Sequence, residues 1–498
     1  MPDHSLLDPL AHGTRAAELT SDAAFLQAMV DAELALTASL IDAGLVPGWM
    51  SAVCAELADA SRLDLAAITA EGRAGGNPVI PLVKHLGARA EELRAGASDH
   101  LHVGATSQDI LDTAAMLVGH RVCGEVLASL GTLADRLARL VGDNRDTRLA
   151  GRTLGQQASP TTLGFIAAGW LDAVLHATAA LERVRGSLPA QLGGAVGTLS
   201  VLTTIAIARR QGTPPAETVD LVVSGFAGRL DLAEAPIAWH TNRLIICDLA
   251  TALAAATGAA GAFALDVTVL SRTEIGELGE ELAPGQGGSS AMPHKRNPVT
   301  AVLVTAAARQ APGLVATLLG SLLAEDQRPS GAWHAEWTAL RTLESVAIAA
   351  TTGAAHLAGR LHVDRERMQA NLGLTDGLVF SEQVTTILAE ALGKTAAFAL
   401  VERAALEAAT TTRPLQIVLS AHLAGDSPIT RAIDDSLRAR VWSAFTPGAT
   451  DGAAGLGHTA AGIDRVLRRY RGCALSPGVT ARTESVAPPT DDEGTPAT

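Results

Sequence analysis

Aromatic residues are scarce: six tryptophans, seven phenylalanines and one tyrosine make up 3% of 498 residues. Alternating Val/Ile/Thr runs are scarce as well, and both shortages argue against an all-β fold, which draws on those side chains. Cysteine is also sparse. Cys54, Cys123, Cys247 and Cys473 lie far apart with no CxxC pair, which argues against a disulfide framework or a structural zinc site and fits a reducing, cytoplasmic setting. Basic charge is in deficit, with 38 Lys and Arg against 52 Asp and Glu and a formal net charge of −14. A nucleic-acid coat or an anionic-membrane binder should be basic, so neither nucleic acid nor membrane is expected as a partner. The opening MPDHSLLDPLAHGTRAAEL has no basic region followed by an apolar stretch, so no signal peptide is expected.

What is abundant is apolar residue, 48% of the chain, enough to bury a large core and to argue against disorder. At roughly 100–200 residues per domain, the length predicts about three structural units. Long Ala/Leu-rich stretches without proline predict helices. The longest runs from Thr241 to Leu282, between Pro236 and Pro284; as one helix it would extend about 63 Å at 1.5 Å per residue. Thr161–Leu188, Val299–Ala311 and Glu382–Ala409 are further candidates. The uncharged stretch from Leu249 to Leu265 is Ala/Gly-rich, is bracketed by Asp248 and Asp266, and at about 17 residues sits at the short limit for a membrane span. A helix buried on all sides of a soluble bundle accounts for it better. Helices of such length cannot bury their faces alone, so a bundle shared between subunits is expected. Three regions are expected: residues 1–110 with shorter helices, 111–360 as the long-helix core, and 361–475 as a smaller helical cap. The remainder, 476–498, carries four prolines and little apolar residue, and is expected to be disordered.

The strongest local feature is Gly285-Gln286-Gly287-Gly288-Ser289-Ser290-Ala291-Met292-Pro293-His294-Lys295-Arg296-Asn297-Pro298. A glycine-rich run followed by paired serines, a lysine and an asparagine suits a loop that closes over an anion. Its N–H groups and Lys295 can hold a carboxylate while a serine hydroxyl approaches the reacting carbon. Other motifs fail. Asp99-His100-Leu101-His102 offers no third metal ligand, and Gly393-Lys394-Thr395 imitates a phosphate loop but has Leu388 where its first glycine belongs.

The segment GSSAMPHKRNP resembles the signature loop of the fumarase/aspartase superfamily. His102-Val103-Gly104-Ala105-Thr106-Ser107-Gln108-Asp109 and Gln191-Leu192-Gly193-Gly194-Ala195-Val196-Gly197-Thr198 resemble two further shared regions. Gly76-Asn77-Pro78-Val79-Ile80-Pro81-Leu82-Val83, Trp239-His240-Thr241 and Gly331-Ala332-Trp333-His334-Ala335-Glu336-Trp337 narrow the resemblance to the 3-carboxy-cis,cis-muconate cycloisomerase-like subgroup, which includes nitrosuccinate lyase-like proteins. Adenylosuccinate lyases resemble the chain less. They carry a histidine where Leu154 follows Arg152-Thr153, and another where this chain has Asn77-Pro78. The subgroup's usual W-H-T-Q-R-D also departs here to Trp239-His240-Thr241-Asn242-Arg243-Leu244.

The resemblance implies a mostly helical, all-α fumarase-like fold, a homotetramer whose active sites combine three chains, and no cofactor or metal. It also implies β-elimination from a substituted succinate. A base removes a proton beside a carboxylate, the doubly charged aci-carboxylate must be stabilised, and the group on the next carbon leaves. By family position Ser289 is the base, needing N–H groups to stabilise its alkoxide. Lys295 and Asn297 clamp the reacting carboxylate. Ser290, Met292, Asn242 and Arg243 line the substrate site, while Thr106, Ser107 and Gln156 bind the other carboxylate. Arg328 either pairs with that carboxylate or forms a surface ion pair with Glu325. His102 is the general acid or a structural histidine, and Glu274 orients a site histidine or is a solvated charge. A good leaving anion such as nitrite needs no strong acid, which would account for Leu154. Two reactions stay open, elimination to fumarate and cycloisomerisation of carboxymuconate, with a non-enzymatic crystallin-like scaffold as a third reading.

Overall fold

The computed structural model describes residues 6–209, 214–283, 285–289, 291–425, 428–445 and 456–474. Its principal helices are α1 (Asp22–Asp42), α2 (Ser107–Asp143), α3 (Leu163–Arg185), α4 (Leu244–Leu270), α5 (Val299–Gly320), α6 (Ala332–Gly359), α7 (Ser381–Leu392), α8 (Lys394–Thr411) and α9 (Thr459–Ala474). Helices α2 to α6 pack side by side as a bundle, α1 lies along α2, and α9 returns to pack on α3. One large apolar core runs through this assembly. A second core, from Val384 to Phe445, is built around α7 and α8.

The chain is mostly helical, as expected, with a few short strands beside the helices. The described residues include four short strands: β1 (Arg148–Thr153) pairs antiparallel with β2 (Gln156–Thr162), and β3 (Leu278–Glu280) with β4 (Leu361–Val363). The β1–β2 turn, Leu154-Gly155, has φ +52 and +81, the backbone that closes a two-residue hairpin with the strands' own twist.

The helix expected over Thr241–Leu282 is also shorter. It starts at Leu244 and stops at Leu270. Beyond it, Gly276 turns at φ +64 and the Glu277 N–H closes back on the Leu270 carbonyl at 2.9 Å. The cause is Glu277. It is fully buried and bonded to both guanidinium nitrogens of Arg152 at 2.8 and 2.6 Å, so the chain leaves the helix to bring this carboxylate to β1. Glu274 and Glu277 therefore share no helix face.

Helix α5 runs past its expected end at Ala311 and through Pro312 to Gly320. It approaches α4 closely, since a Cβ added at Gly261 would lie 2.3 Å from that of Ala308. The expected Glu382–Ala409 helix is broken at Gly393, whose φ of +76 separates α7 from α8. The expected tail lies outside the described residues.

Among the described residues four helices, α1, α3, α4 and α5, are long and apolar enough to cross a membrane by length and composition. In α4, 61% of that stretch is already buried inside the chain, whereas in α5 only 22% is. Helix α5 thus leaves a broad Ala/Val/Leu face for something else to cover.

One core residue makes stability depend on pH. Glu344 of α6 is fully buried, both its oxygens lack a hydrogen-bond partner, and desolvation raises its pKa to about 8. The folded chain therefore keeps a proton that the unfolded chain has lost. This contribution is complete below the ordinary carboxylate range and disappears as pH rises through about 8. Glu344→Gln should flatten that decline and raise the melting temperature at alkaline pH by ~2 °C or more. A thermal melt series across pH checks this, and an unchanged slope would contradict it.

Candidate active site

At the base of the site lies a buried charge network. Arg243, at the N-terminus of α4, is about 2% exposed and pairs with Asp112 of α2 at 2.7 and 3.0 Å. Its other edge meets Glu336 of α6 at 2.6 and 3.1 Å. Asp112 also accepts from the Trp333 indole at 2.9 Å and from Gln108 Nε2 at 3.1 Å. Arg243, expected to line the substrate site, has its guanidinium taken up by carboxylates within the chain. Two carboxylates occupy its fork, and its work is to tie three helices together.

Gln108 carries this order outward. Its Nε2 donates to Asp112 and to the His240 carbonyl, and its Oε1 accepts from Arg328 Nε at 3.1 Å. Arg328 Nη2 in turn donates to Thr106 Oγ1 at 2.9 Å. Of the two readings for Arg328, the ion pair with Glu325 is absent; Glu325 instead accepts from the Ser330 N–H. Thr106 and Ser107 stand at the N-terminus of the 37-residue α2, where exposed N–H groups and the helix dipole favour an anion.

Asp109 supports this corner from beneath. Fully buried, it accepts from the N–H groups of Thr106, Gly193 and Gly194 at 2.9, 3.0 and 2.9 Å, and lies 2.7 Å from His240 Nε2. The Gln191-Leu192-Gly193-Gly194 segment is thereby folded against α2. A side chain at Gly193 would meet the Cβ of Ala238 at 2.6 Å, so glycine is required for the approach.

His102 sits four residues before Thr106 with φ +55, its Nδ1 2.7 Å from Glu33 Oε1. Burial acts to lower its pKa, and the Glu33 bond and charge, with the charge of Asp109, outweigh burial and raise it. His100 faces elsewhere, packing edge-on to Trp49.

The serine loop forms a separate cluster. Ser289 Oγ accepts from the N–H groups of Ala291 and Met292 at 3.3 and 3.1 Å. Gly287 turns at φ +67, and its carbonyl accepts from both the backbone and the side-chain amide of Asn297, at 2.9 and 3.1 Å. Lys295 and Met292 are exposed. Ser290 lies outside the described residues.

Gln156 is exposed beside the β1–β2 turn, where Leu154 is fully exposed. Asn242 is exposed next to Leu244, itself 57% exposed, at the start of α4. Glu274 is exposed and lies in a turn, and its carbonyl accepts from Arg367. Among the described residues, no hydrogen bond joins the Thr106–Arg328 corner, the serine loop and the hairpin tip within one chain.

Sequence reasoning missed Glu33, Gln108, Asp109 and Asp112. Asp109 had a signal, an acid three residues after Thr106 at the start of a helix. Glu33 had another, a charge in an otherwise apolar run.

A helical bundle that carries a long-helix N-terminus, a glycine-held acid and a serine loop defines a class of acid–base enzymes acting on small carboxylates. Residues 50–313 match the family described as Lyase. The chain is 42% identical to the nitrosuccinate lyase of Streptomyces davaonensis over 454 residues, 91% of this chain and 95% of that one. It is 39% identical to the 3-carboxy-cis,cis-muconate cycloisomerase of Pseudomonas aeruginosa over 457 residues, 89% and 95% of the two chains. The crystal structure of the 3-carboxy-cis,cis-muconate lactonizing enzyme from Pseudomonas putida superposes with a TM-score of 0.82 at 35% identity, covering 95% of this chain and all of that one. The chain belongs to the lyase family of the fumarase/aspartase superfamily and is an enzyme of it.

The base network makes a direct prediction. Arg243→Met leaves Asp112 and Glu336 buried without their cation, and should destabilise the fold by about 3–5 kcal/mol. Chemical denaturation checks it; a loss under ~1 kcal/mol would mean the pairing is dispensable.

Proposed function

We propose that this enzyme eliminates the β-substituent of a substituted succinate to give fumarate, with nitrosuccinate as substrate and nitrite as leaving group. The observation that carries the reading is the pair of N–H groups donated to Ser289 Oγ. A serine hydroxyl is a weak base, and two donors aimed at its oxygen are what an alkoxide needs to persist.

In this reading Arg328, Thr106, Ser107 and the N-terminus of α2 hold the distal carboxylate, with Gln156 reaching it from the hairpin tip. Ser289 takes the proton from the carbon beside the second carboxylate. Lys295 and Asn297, with Ser290 and Met292 alongside, stabilise the charge gathered there. The C–H electron pair then forms the C=C bond as the C–N bond breaks, and nitrite departs with the electrons of that bond. His102 faces the departing anion. Asn242 and Leu244 stand where the substituent is read.

Three separate clusters in one chain fit a site completed by neighbouring chains. The poorly covered face of α5 fits a subunit interface. We therefore include a homotetramer, the three-region division of the chain and a cytoplasmic setting in the proposal. A second reading, cycloisomerisation of 3-carboxy-cis,cis-muconate, is favoured by the Pseudomonas relatives. The elimination is preferred because the Streptomyces relative matches at higher identity and because the subgroup's acid is replaced by Leu244.

Ser289→Ala should lower kcat for nitrosuccinate by ~10³-fold or more while the melting temperature holds. Fumarate absorbance and nitrite release follow it together. Near-normal turnover would remove serine from the base role.

A further inference from the structure

Glu33 lies in the middle of α1, in the apolar run Met29-Val30-Asp31-Ala32-Glu33-Leu34-Ala35-Leu36. Its side chain has no exposure, an unfavourable place for a carboxylate without a compensating partner. Oε1 lies 2.7 Å from His102 Nδ1, and Oε2 has no hydrogen-bond partner. His102 is thus its one partner among the described residues. The loop bends to supply it: His102 itself is at φ +55 and Gly104 at φ +77, conformations a non-glycine residue holds only where its surroundings enforce them.

With Nδ1–H given to Glu33, Nε2 is the nitrogen left free. The imidazole is 21% exposed, so one edge is open. That edge belongs to the same short loop as Thr106, which receives Arg328. The charges acting on the ring come from two elements and are both negative, Glu33 of α1 and Asp109 of α2.

We infer that Glu33 is a positioning residue for the reaction: its buried carboxylate holds the ring through Nδ1 so that Nε2–H faces outward, toward the departing anion. No bond to Glu33 is made or broken. The substrate proton goes to Ser289, and Nε2–H either hydrogen-bonds the leaving group or passes its proton to it. The inference rests on the role proposed above for His102.

Glu33→Gln keeps the size and an acceptor for Nδ1–H while removing the charge. One readout is the His102 titration midpoint in full-length protein carrying 13C-labelled histidine, with His102→Asn identifying the resonance. The other is kcat/KM for nitrosuccinate against pH. If the protonated ring is needed, activity falls as pH rises through its midpoint. Losing the charge should lower the midpoint, and the alkaline limb of kcat/KM should move down with it. Glu33→Asp, with its charge at longer reach, should fall between, and carries the same comparison if Glu33→Gln does not fold. A midpoint that stays put overturns the positioning role. A midpoint that moves while the limb stays overturns the proposal from below, by removing His102 from the reaction.

Discussion

The fork of Arg243 between Asp112 and Glu336 is the constraint on which the site depends. Three helices meet at one guanidinium, and none of the three charges reaches solvent. Taking such charges out of water is costly, so the arrangement is stable only with every partner in place and well oriented. That requirement fixes the rotation of α2 about its axis. Gln108, Asp109 and Thr106 inherit their positions from it, and Arg328 is seated through Gln108 and Thr106.

Around this rigid floor the chemistry is divided by region. The α2 corner brings together a helix N-terminus and the Arg328 guanidinium, which the proposed function assigns to one carboxylate. The serine loop, with glycine at its bends, offers an oxygen already surrounded by N–H donors. The hairpin is held by a different ion pair, Arg152 with Glu277, and leaves Leu154 fully exposed with Gln156 exposed beside it. Each piece is built within the chain, yet among the described residues no hydrogen bond joins one piece to another. Preorganisation of the parts and assembly of the whole are separate problems, and the proposed tetramer is the answer offered to the second.

Much of the bundle was legible because its helices advertise themselves by length and alanine content, and the serine loop because so many special residues follow one another. The boundaries were less so. The run from Thr241 to Leu282 reads as one helix, since nothing local to Ser271–Gly276 outweighs its helical neighbours. What ends it is a distant arginine, Arg152, claiming Glu277. The same blindness covered Arg243, which a local motif reads as a ligand-binding cation but whose two carboxylate partners come from α2 and α6. Glu33, some seventy positions from His102 in the chain, had no motif at all. Spacing along a chain reports on neighbours in one element, and buried polar networks are made between elements.

The most direct test of the account compares kcat/KM for nitrosuccinate with that for 3-carboxy-cis,cis-muconate on one preparation, following fumarate, nitrite and muconate absorbance. The account predicts equal amounts of fumarate and nitrite, and a preference for nitrosuccinate of ~10²-fold or more, the size of discrimination that a few polar contacts to a substituent supply. Loss of muconate absorbance at the higher efficiency, with no fumarate from nitrosuccinate, would contradict it and make the enzyme a cycloisomerase.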